Sequence, residues 1–266
     1  MHNNLVCYLF TKFDELNSIK EFIKHYKKHQ SGSKHTLLIC YKLLDKKKII
    51  YLRKMLTNIN YTEFIDPVSF NDYDFGSYKR VSKKYPSYKI LFLNSHSYPL
   101  SNNWLKKLLF HYKKNTILGT SASNESFLTS LKLKKFYKII SFLKKYKRYK
   151  KNFFPFPNPH IRTSSFLIRG SDFLTFTKNK IFLTKEDTWM AESGINGLTN
   201  FFIKKKFNIY VINSDGEKFS KKNWMFSRTF CYLSKSKSLI SDKHVRKYFR
   251  LLKVDRLKSQ HSVWGE

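Results

Sequence analysis

For its first 120 residues the chain alternates short β-prone runs with amphipathic stretches. Leu5 to Phe10 is continuously apolar, and Thr36 to Tyr41, Tyr61 to Ile65, Ile90 to Leu93 and Thr116 to Gly119 follow as further short runs. Runs of this length, apolar at successive positions, fit strands buried on both faces. Between them, Asp14 to His29 puts Leu16, Ile19, Phe22, Ile23 and Tyr26 on one helical face, and Ser31-Gly32-Ser33 ends it. Lys47 to Leu56 and Trp104 to Tyr112 read as two more helices. Strands alternating with helices predict βαβ units and an α/β fold with a mainly parallel sheet flanked by helices.

The run Ile90 to Leu93 breaks abruptly into Asn94, Ser95, His96 and Ser97. In an open α/β sheet, ligands bind in the crevice beyond the carboxyl ends of the strands, so this polar end marks a candidate site. Ahead of it lies a turn, Asn71 to Tyr78, that carries Asp72, Asp74 and Gly76 and leads into a helical stretch. Asp74 or Ser77 either caps that helix or belongs to a ligand loop.

Charge changes the picture in the middle of the chain. From Ser126 to Ser171 there is no acidic residue, while Lys and Arg cluster between Lys132 and Lys151. Leu133, Phe136, Tyr137, Ile140 and Leu143 share a helical face among these lysines, and Phe153-Phe154-Pro155-Phe156-Pro157 follows. Such a helix either lies on an anionic membrane surface or packs its apolar face on the domain.

Composition bounds the rest. The chain has 266 residues, 41% of them hydrophobic, enough for one large domain or two small ones with a real core. Fifty-two Lys and Arg against 18 Asp and Glu give a formal charge of +34. The excess is mostly Lys and spread over the whole chain, the mark of a general compositional bias. It favours phosphate-bearing ligands and anionic lipid, with nucleic acid the lesser partner. Cys7, Cys40 and Cys231 are far apart and suggest neither a disulfide framework nor a zinc site. With 8 glycines the chain has neither G-x-G-x-x-G nor G-x-x-x-x-G-K, which removes dinucleotide and P-loop chemistry. There is no apolar run of membrane-spanning length and no leader pattern. The expected location is the cytoplasm, peripheral on the inner face of the membrane if the basic helix docks there.

The second half carries an ordered set of motifs. His160-Ile161-Arg162-Thr163-Ser164-Ser165-Phe166-Leu167-Ile168 reads as a strand-like run. It precedes Lys185-Glu186-Asp187-Thr188-Trp189-Met190-Ala191-Glu192-Ser193-Gly194, then Leu198-Thr199, a run from Asn208 to Asn213, and Asp215-Gly216. This order resembles bacterial glycosyltransferases of the family 2-like kind, in particular a group from surface-polysaccharide gene clusters. The tail, with Trp224, Ser227, Ser241-Asp242 and Trp264-Gly265, is similar as well. The likeness covers about the whole chain and is more specific after Asn158.

The resemblance implies a GT-A-like, Rossmann-type sheet with a helical C-terminal tail. Its divisions would be a nucleotide-sugar-binding half over 1–125, a basic amphipathic and aromatic insertion over 126–157, an acceptor and catalytic half over 158–216, and the tail over 217–266. The implied activity is hexosyltransferase-like: a sugar moves from a nucleotide-sugar donor to a glycan or lipid-linked glycan acceptor in cell-surface polysaccharide synthesis. Two alternatives stand beside it, a catalytically inactive GT-A-like protein that binds glycan or nucleotide, and a basic nucleic-acid-binding protein.

In such enzymes the strand matching Ile90 to Leu93 ends in D-x-D, which holds a divalent metal on the donor diphosphate. Here the triplet is Asn94-Ser95-His96, without the hard anionic oxygens that Mg²⁺ or Mn²⁺ prefers. No metal ligand is therefore assigned, and two alternatives stand: a divalent Mn²⁺ or Mg²⁺ held without a D-x-D, or a metal-independent site in which Lys or Arg residues supply the positive charge. The resemblance gives Asp74, Asn94, Ser95 and His96 to the donor, and Arg162 to its diphosphate through charge-assisted contacts. Glu186-Asp187 resembles the family's E-D pair, with Asp187 as the base that deprotonates the acceptor hydroxyl and Glu192 in reserve. Five residues apart on a helix, Asp187 and Glu192 diverge by about 140°. The structural alternative for Glu186 and Asp187 is a pair of carboxylates stabilising a helix N-terminus.

Overall fold

The computed structural model describes residues 3–133, 135–233 and 236–265. The apolar run at the N-terminus is β1 (Asn4–Thr11), followed by α1 (Leu16–Lys28), β2 (Thr36–Lys42), α2 (Lys46–Met55), β3 (Thr62–Asp66), α3 (Tyr73–Lys84) and β4 (Lys89–Leu93). Next come β5 (Tyr98–Pro99), α4 (Trp104–His111), β6 (Thr116–Gly119), β7 (Ala122–Ser123), a 3-10 turn (Phe136–Lys138) and α5 (Ile139–Asn152). The second half runs β8 (His160–Ile161), β9 (Ser165–Arg169), α6 (Gly170–Thr177), α7 (Lys185–Ser193), α8 (Leu198–Lys204), β10 (Asn208–Ile212) and β11 (Lys218–Ser220). A 3-10 segment (Lys221–Ser227), β12 (Ile240–Ser241), α9 (Lys243–Arg250) and α10 (Lys253–Trp264) complete it.

Eight of these strands form one sheet in the order β11-β10-β6-β9-β4-β1-β2-β3. β3, β2, β1 and β4 are mutually parallel, as is the pair β6 and β10. β9 enters between β4 and β6 and runs antiparallel to both, and β11 closes one edge antiparallel to β10. The mainly parallel α/β sheet expected from the alternation is the one observed.

The pleat of β1 sorts its side chains between two layers. Leu5, Cys7 and Leu9 pack with Phe75, Tyr78 and Val81 of α3 and Phe173 and Phe176 of α6. Val6, Tyr8 and Phe10 pack with Ile19 and Phe22 of α1, Leu52 of α2 and Trp104 of α4. Both faces of the strand are buried, which is why it reads as an unbroken apolar run.

One sequence expectation changes. His160 to Ile168 is not a single strand: β8 pairs with β7 outside the main sheet, and β9 joins the sheet only from Ser165. Arg162, Thr163 and Ser164 form the turn between them. The C-terminal region is helical at its end, but β12 pairs with β5, and Val263 and Trp264 are buried in the core.

Candidate functional site

β9 runs antiparallel to β4, so its start lies beside β4's carboxyl end, with Ser165 opposite Leu93. There the turn 162–164, the turn after β4, the start of α3, the inner side of α7 and the start of α9 enclose a cleft of about 280 Å³. Asp74, Asn94, His96, Arg162, Lys185, Trp189, Glu192, Asp242, Lys243 and His244 are among the residues that line it.

The start of α3 is fixed from below. Lys42, at the end of β2, is fully buried and donates to Asp72 Oδ1 at 2.5 Å and to the backbone carbonyl of Tyr73. Arg80 pairs with Asp72 at 2.5 Å and bridges it to Asp66, which also accepts from Ser77 Oγ at 2.6 Å. Burial opposes the ionisation of Asp72, but the hydrogen bonds from Arg80 and Lys42 outweigh it and hold its pKa below the ordinary value. This network pins Tyr73 in a left-handed conformation, φ 53°, which is uncommon for a bulky side chain.

Among the described residues, none donates a hydrogen bond to the next residue, Asp74. Burial pushes its pKa up to about 6; Lys42 opposes the shift, while Asp14 and Glu192 add to it. The helix-capping alternative is not realised, since Asp72 and not Asp74 precedes α3 and neither side chain caps it. Asp74 is therefore a carboxylate in the cleft wall whose acceptor capacity is unused among the described residues.

The turn after β4 shows why no D-x-D is needed for local structure. Asn94 Oδ1 accepts from the backbone N–H of His96 at 3.1 Å and from Ser97 Oγ at 2.8 Å, closing an Asx-type turn. Ser95 is buried and donates to Asp14 Oδ1 at 2.6 Å, away from the cleft lining. The ring of His96 lies 3.3 Å from Ser18 Oγ through Nδ1 and 4.0 Å from Asp14 through Nε2, and burial lowers its pKa against the pull of Asp14. A divalent metal does not fit this triplet: the one amide oxygen is spent on the turn and Ser95 is turned to Asp14. Among the described residues, no group of three or more His, Cys, Asp or Glu side chains is arranged to hold a metal.

Arg162 does line the cleft, and its partner lies just upstream of the acid-free segment. Its Nη1 donates to Glu125 Oε2 at 3.1 Å, and the guanidinium sits 5.5 Å from the centre of the Phe230 ring. Glu192 accepts from the backbone N–H of Thr163 at 2.8 Å through Oε1, and among the described residues its second oxygen takes no hydrogen bond. Asp242 caps α9 by accepting from the Val245 N–H at 2.8 Å and also accepts from Ser164 Oγ at 2.7 Å. Burial works against its charge, but the Arg162 guanidinium and these two hydrogen bonds prevail and lower its pKa. Lys243 follows at the cleft edge, and among the described residues it has no ion-pair partner.

Two expected catalytic residues lie elsewhere. Asp187 is the third residue of α7 and closes a capping box with Thr184; its Oδ2 accepts from the N–H groups of Leu183 at 3.0 Å and Thr184 at 2.7 Å. It borders a different pocket, behind α7. Glu186 pairs with Arg148 of α5 at 2.7 Å. Asp187 thus serves the helix terminus and Glu186 an ion pair to α5, and the cleft receives Glu192 from the other side of α7, as the helical divergence requires.

Sequence reading passed over Asp14, Lys185, Trp189, Lys243 and His244. Lys243 and His244 follow the Ser241-Asp242 pair, whose capping pattern announces a helix start, but nothing local says that this start reaches the cleft. Long-range strand pairing between β12 and β5 brings it there.

No protein-family model matches the chain, and no curated protein matches it. Solved structures that resemble it include apo glycosyltransferase GlyE of Streptococcus pneumoniae TIGR4, with 10% identity over 79% of this chain and 45% of that one, TM-score 0.44. Galactosyltransferase LgtC, in complex with donor and acceptor sugar analogs, matches at 11% identity over 79% of this chain and 73% of that one, TM-score 0.42. The bifunctional glycosyltransferase WbbM matches at 12% identity, 70% and 36% coverage, TM-score 0.39. The chain thus spans less than half the length of GlyE and WbbM.

Proposed function

We propose that this protein is a GT-A-like glycosyltransferase that binds a nucleotide-sugar donor in the cleft beyond β4 and passes the sugar to a glycan acceptor in cell-surface polysaccharide synthesis. One observation carries the reading: a cleft at the carboxyl edge of the sheet combines three cations, Arg162, Lys185 and Lys243, with a carboxylate, Asp74, that has no hydrogen-bond partner among the described residues and whose pKa burial pushes up to about 6.

The chemistry follows from that pairing. A leaving nucleotide diphosphate needs compensating positive charge, which Arg162, Lys185 and Lys243 supply through charge-assisted contacts without a metal. The acceptor hydroxyl needs a base as its oxygen attacks the anomeric carbon. Asp74 suits this role because its pKa lies close to neutrality and its oxygens are uncommitted. The bond between the anomeric carbon and the diphosphate oxygen breaks, the acceptor oxygen takes the sugar, and its proton passes to Asp74. Glu192, tied to Thr163 by one oxygen, has the other available to orient a sugar hydroxyl. The amide nitrogen of Asn94 and the ring of His96 remain as donor contacts.

Turnover of a panel of nucleotide sugars in the presence of EDTA tests the proposal. The wild-type protein should hydrolyse or transfer from one donor. Asp74→Asn should lose about 100-fold or more in kcat with donor affinity retained. Donor binding without turnover by the wild-type protein would instead identify a non-catalytic binding protein.

A further inference from the structure

The 3-10 turn and α5 carry an apolar face that the domain does not cover. Phe136 is 89% exposed, Ile140 69% and Leu143 55%, and Tyr137, Ile139 and Tyr146 are also exposed. Of the residues in α5, only Tyr149 is buried, where it meets Phe153 at a centroid distance of 5.1 Å. At 100° per residue, Phe136, Ile139, Ile140, Leu143 and Tyr146 fall on one side, with Lys144, Lys147, Lys150 and Lys151 on and beside its C-terminal half. A groove of about 450 Å³ opens between this helix and the segment before it, lined by Lys132, Lys135, Lys138 and Lys145 together with Ser130 and Ser141. No acidic side chain lies between residues 126 and 171 to neutralise them.

We propose that this surface docks on an anionic lipid bilayer. Phe136, Ile140 and Leu143 enter the headgroup and acyl boundary, and Lys144, Lys147, Lys150 and Lys151, on the same side of the helix, meet the headgroup phosphates. An apolar stripe flanked by lysines is what an interfacial helix requires, and the absence of acidic residues suits a negative surface over an acidic-and-basic protein partner. The placement also matters for the cleft. Arg148 of α5 pairs with Glu186 of α7, and Lys185, Thr188 and Trp189 of the same α7 line the cleft, so one helix joins the lipid-facing surface to the site wall. An acceptor carried on lipid would then be presented beside the cleft. The docking itself does not depend on the transferase reading.

Co-sedimentation with vesicles tests it, comparing phosphatidylcholine alone with phosphatidylcholine containing phosphatidylglycerol. The protein should partition onto the anionic vesicles and not the neutral ones, with binding that falls as salt rises. Lys144→Ser and Lys147→Ser should each reduce the partition by about fivefold, and Phe136→Ser with Ile140→Ser should abolish it. Equal binding to both vesicles, or unchanged binding by these variants, overturns the proposal. So does a monomer-to-dimer shift that the Phe136→Ser and Ile140→Ser changes remove without any vesicle binding, which would make the face an interface between copies. All four residues are exposed, so an unchanged melting temperature should accompany the loss.

Discussion

Lys42 Nζ lies 2.5 Å from Asp72 Oδ1 inside the protein, and the same ammonium holds the carbonyl of Tyr73. This one buried cation fixes the turn that presents Asp74 to the cleft. Lys42→Met keeps the volume but leaves Asp72 short of a partner and Tyr73 unpinned. The expected cost is about 3 kcal/mol or more, read from urea unfolding, with donor turnover lost alongside. A cost near zero would mean that Arg80 alone supports the turn.

Gly76 sits in the first half of α3, where alanine would ordinarily be preferred by about 1 kcal/mol. Here a Cβ would lie 1.9 Å from Asp72 Oδ2, a carboxylate already locked by Lys42 and Arg80. Gly76→Ala should therefore destabilise the protein by about 1–3 kcal/mol. Thermal melting of the variant checks the sign.

Asp74 should tax stability in a pH-dependent way. Its folded pKa, about 6, lies above the unfolded value of 3.8, so the native state binds more protons between these limits. Stability then falls as pH rises through that window, and the penalty is complete above it. Asp74→Asn removes the penalty. The variant should melt higher than wild type at about pH 7.5, by the equivalent of about 1–3 kcal/mol, and the gap should shrink at about pH 4. In the active protein, kcat should rise with pH through about 6 as the base ionises. A flat profile there would remove Asp74 from the proton transfer.

Asp187→Ala separates a cap from a base. The capping box predicts a loss of about 1 kcal/mol in stability and nearly unchanged kcat. A loss of turnover of 100-fold or more in a folded variant would return the catalytic role to Asp187.

The elements of the sheet were legible because β1, β2, β4 and β6 are buried on both sides and so carry unbroken or nearly unbroken apolar runs. The antiparallel entry of β9 was not legible, because a strand's direction depends on its partners and Ser165 to Arg169 looks the same either way. At the cleft, Asp74, Asn94, His96, Arg162 and Glu192 could be selected from local polarity and motif order. Motif order suggests Asp187 as the base, whereas the structure places it in a capping box: a carboxylate three residues beyond a threonine satisfies such a box as readily as a catalytic motif. Ser95 is polar and follows the strand end, yet it faces Asp14, a contact 81 residues away in sequence. Lys243 and His244 could be found only through the pairing of β12 with β5.

The most direct measurement is the melting temperature of the protein against a panel of nucleotide sugars in EDTA, repeated with Mn²⁺ and with the Arg162→Ala variant. A donor at one hundred times its dissociation constant adds about 2.7 kcal/mol. One nucleotide sugar should raise the melting temperature of the wild-type protein equally with and without Mn²⁺, and the shift should be much smaller for Arg162→Ala. If no nucleotide sugar shifts the melt under either condition, the cleft beyond β4 is not a donor site and the transferase account is contradicted.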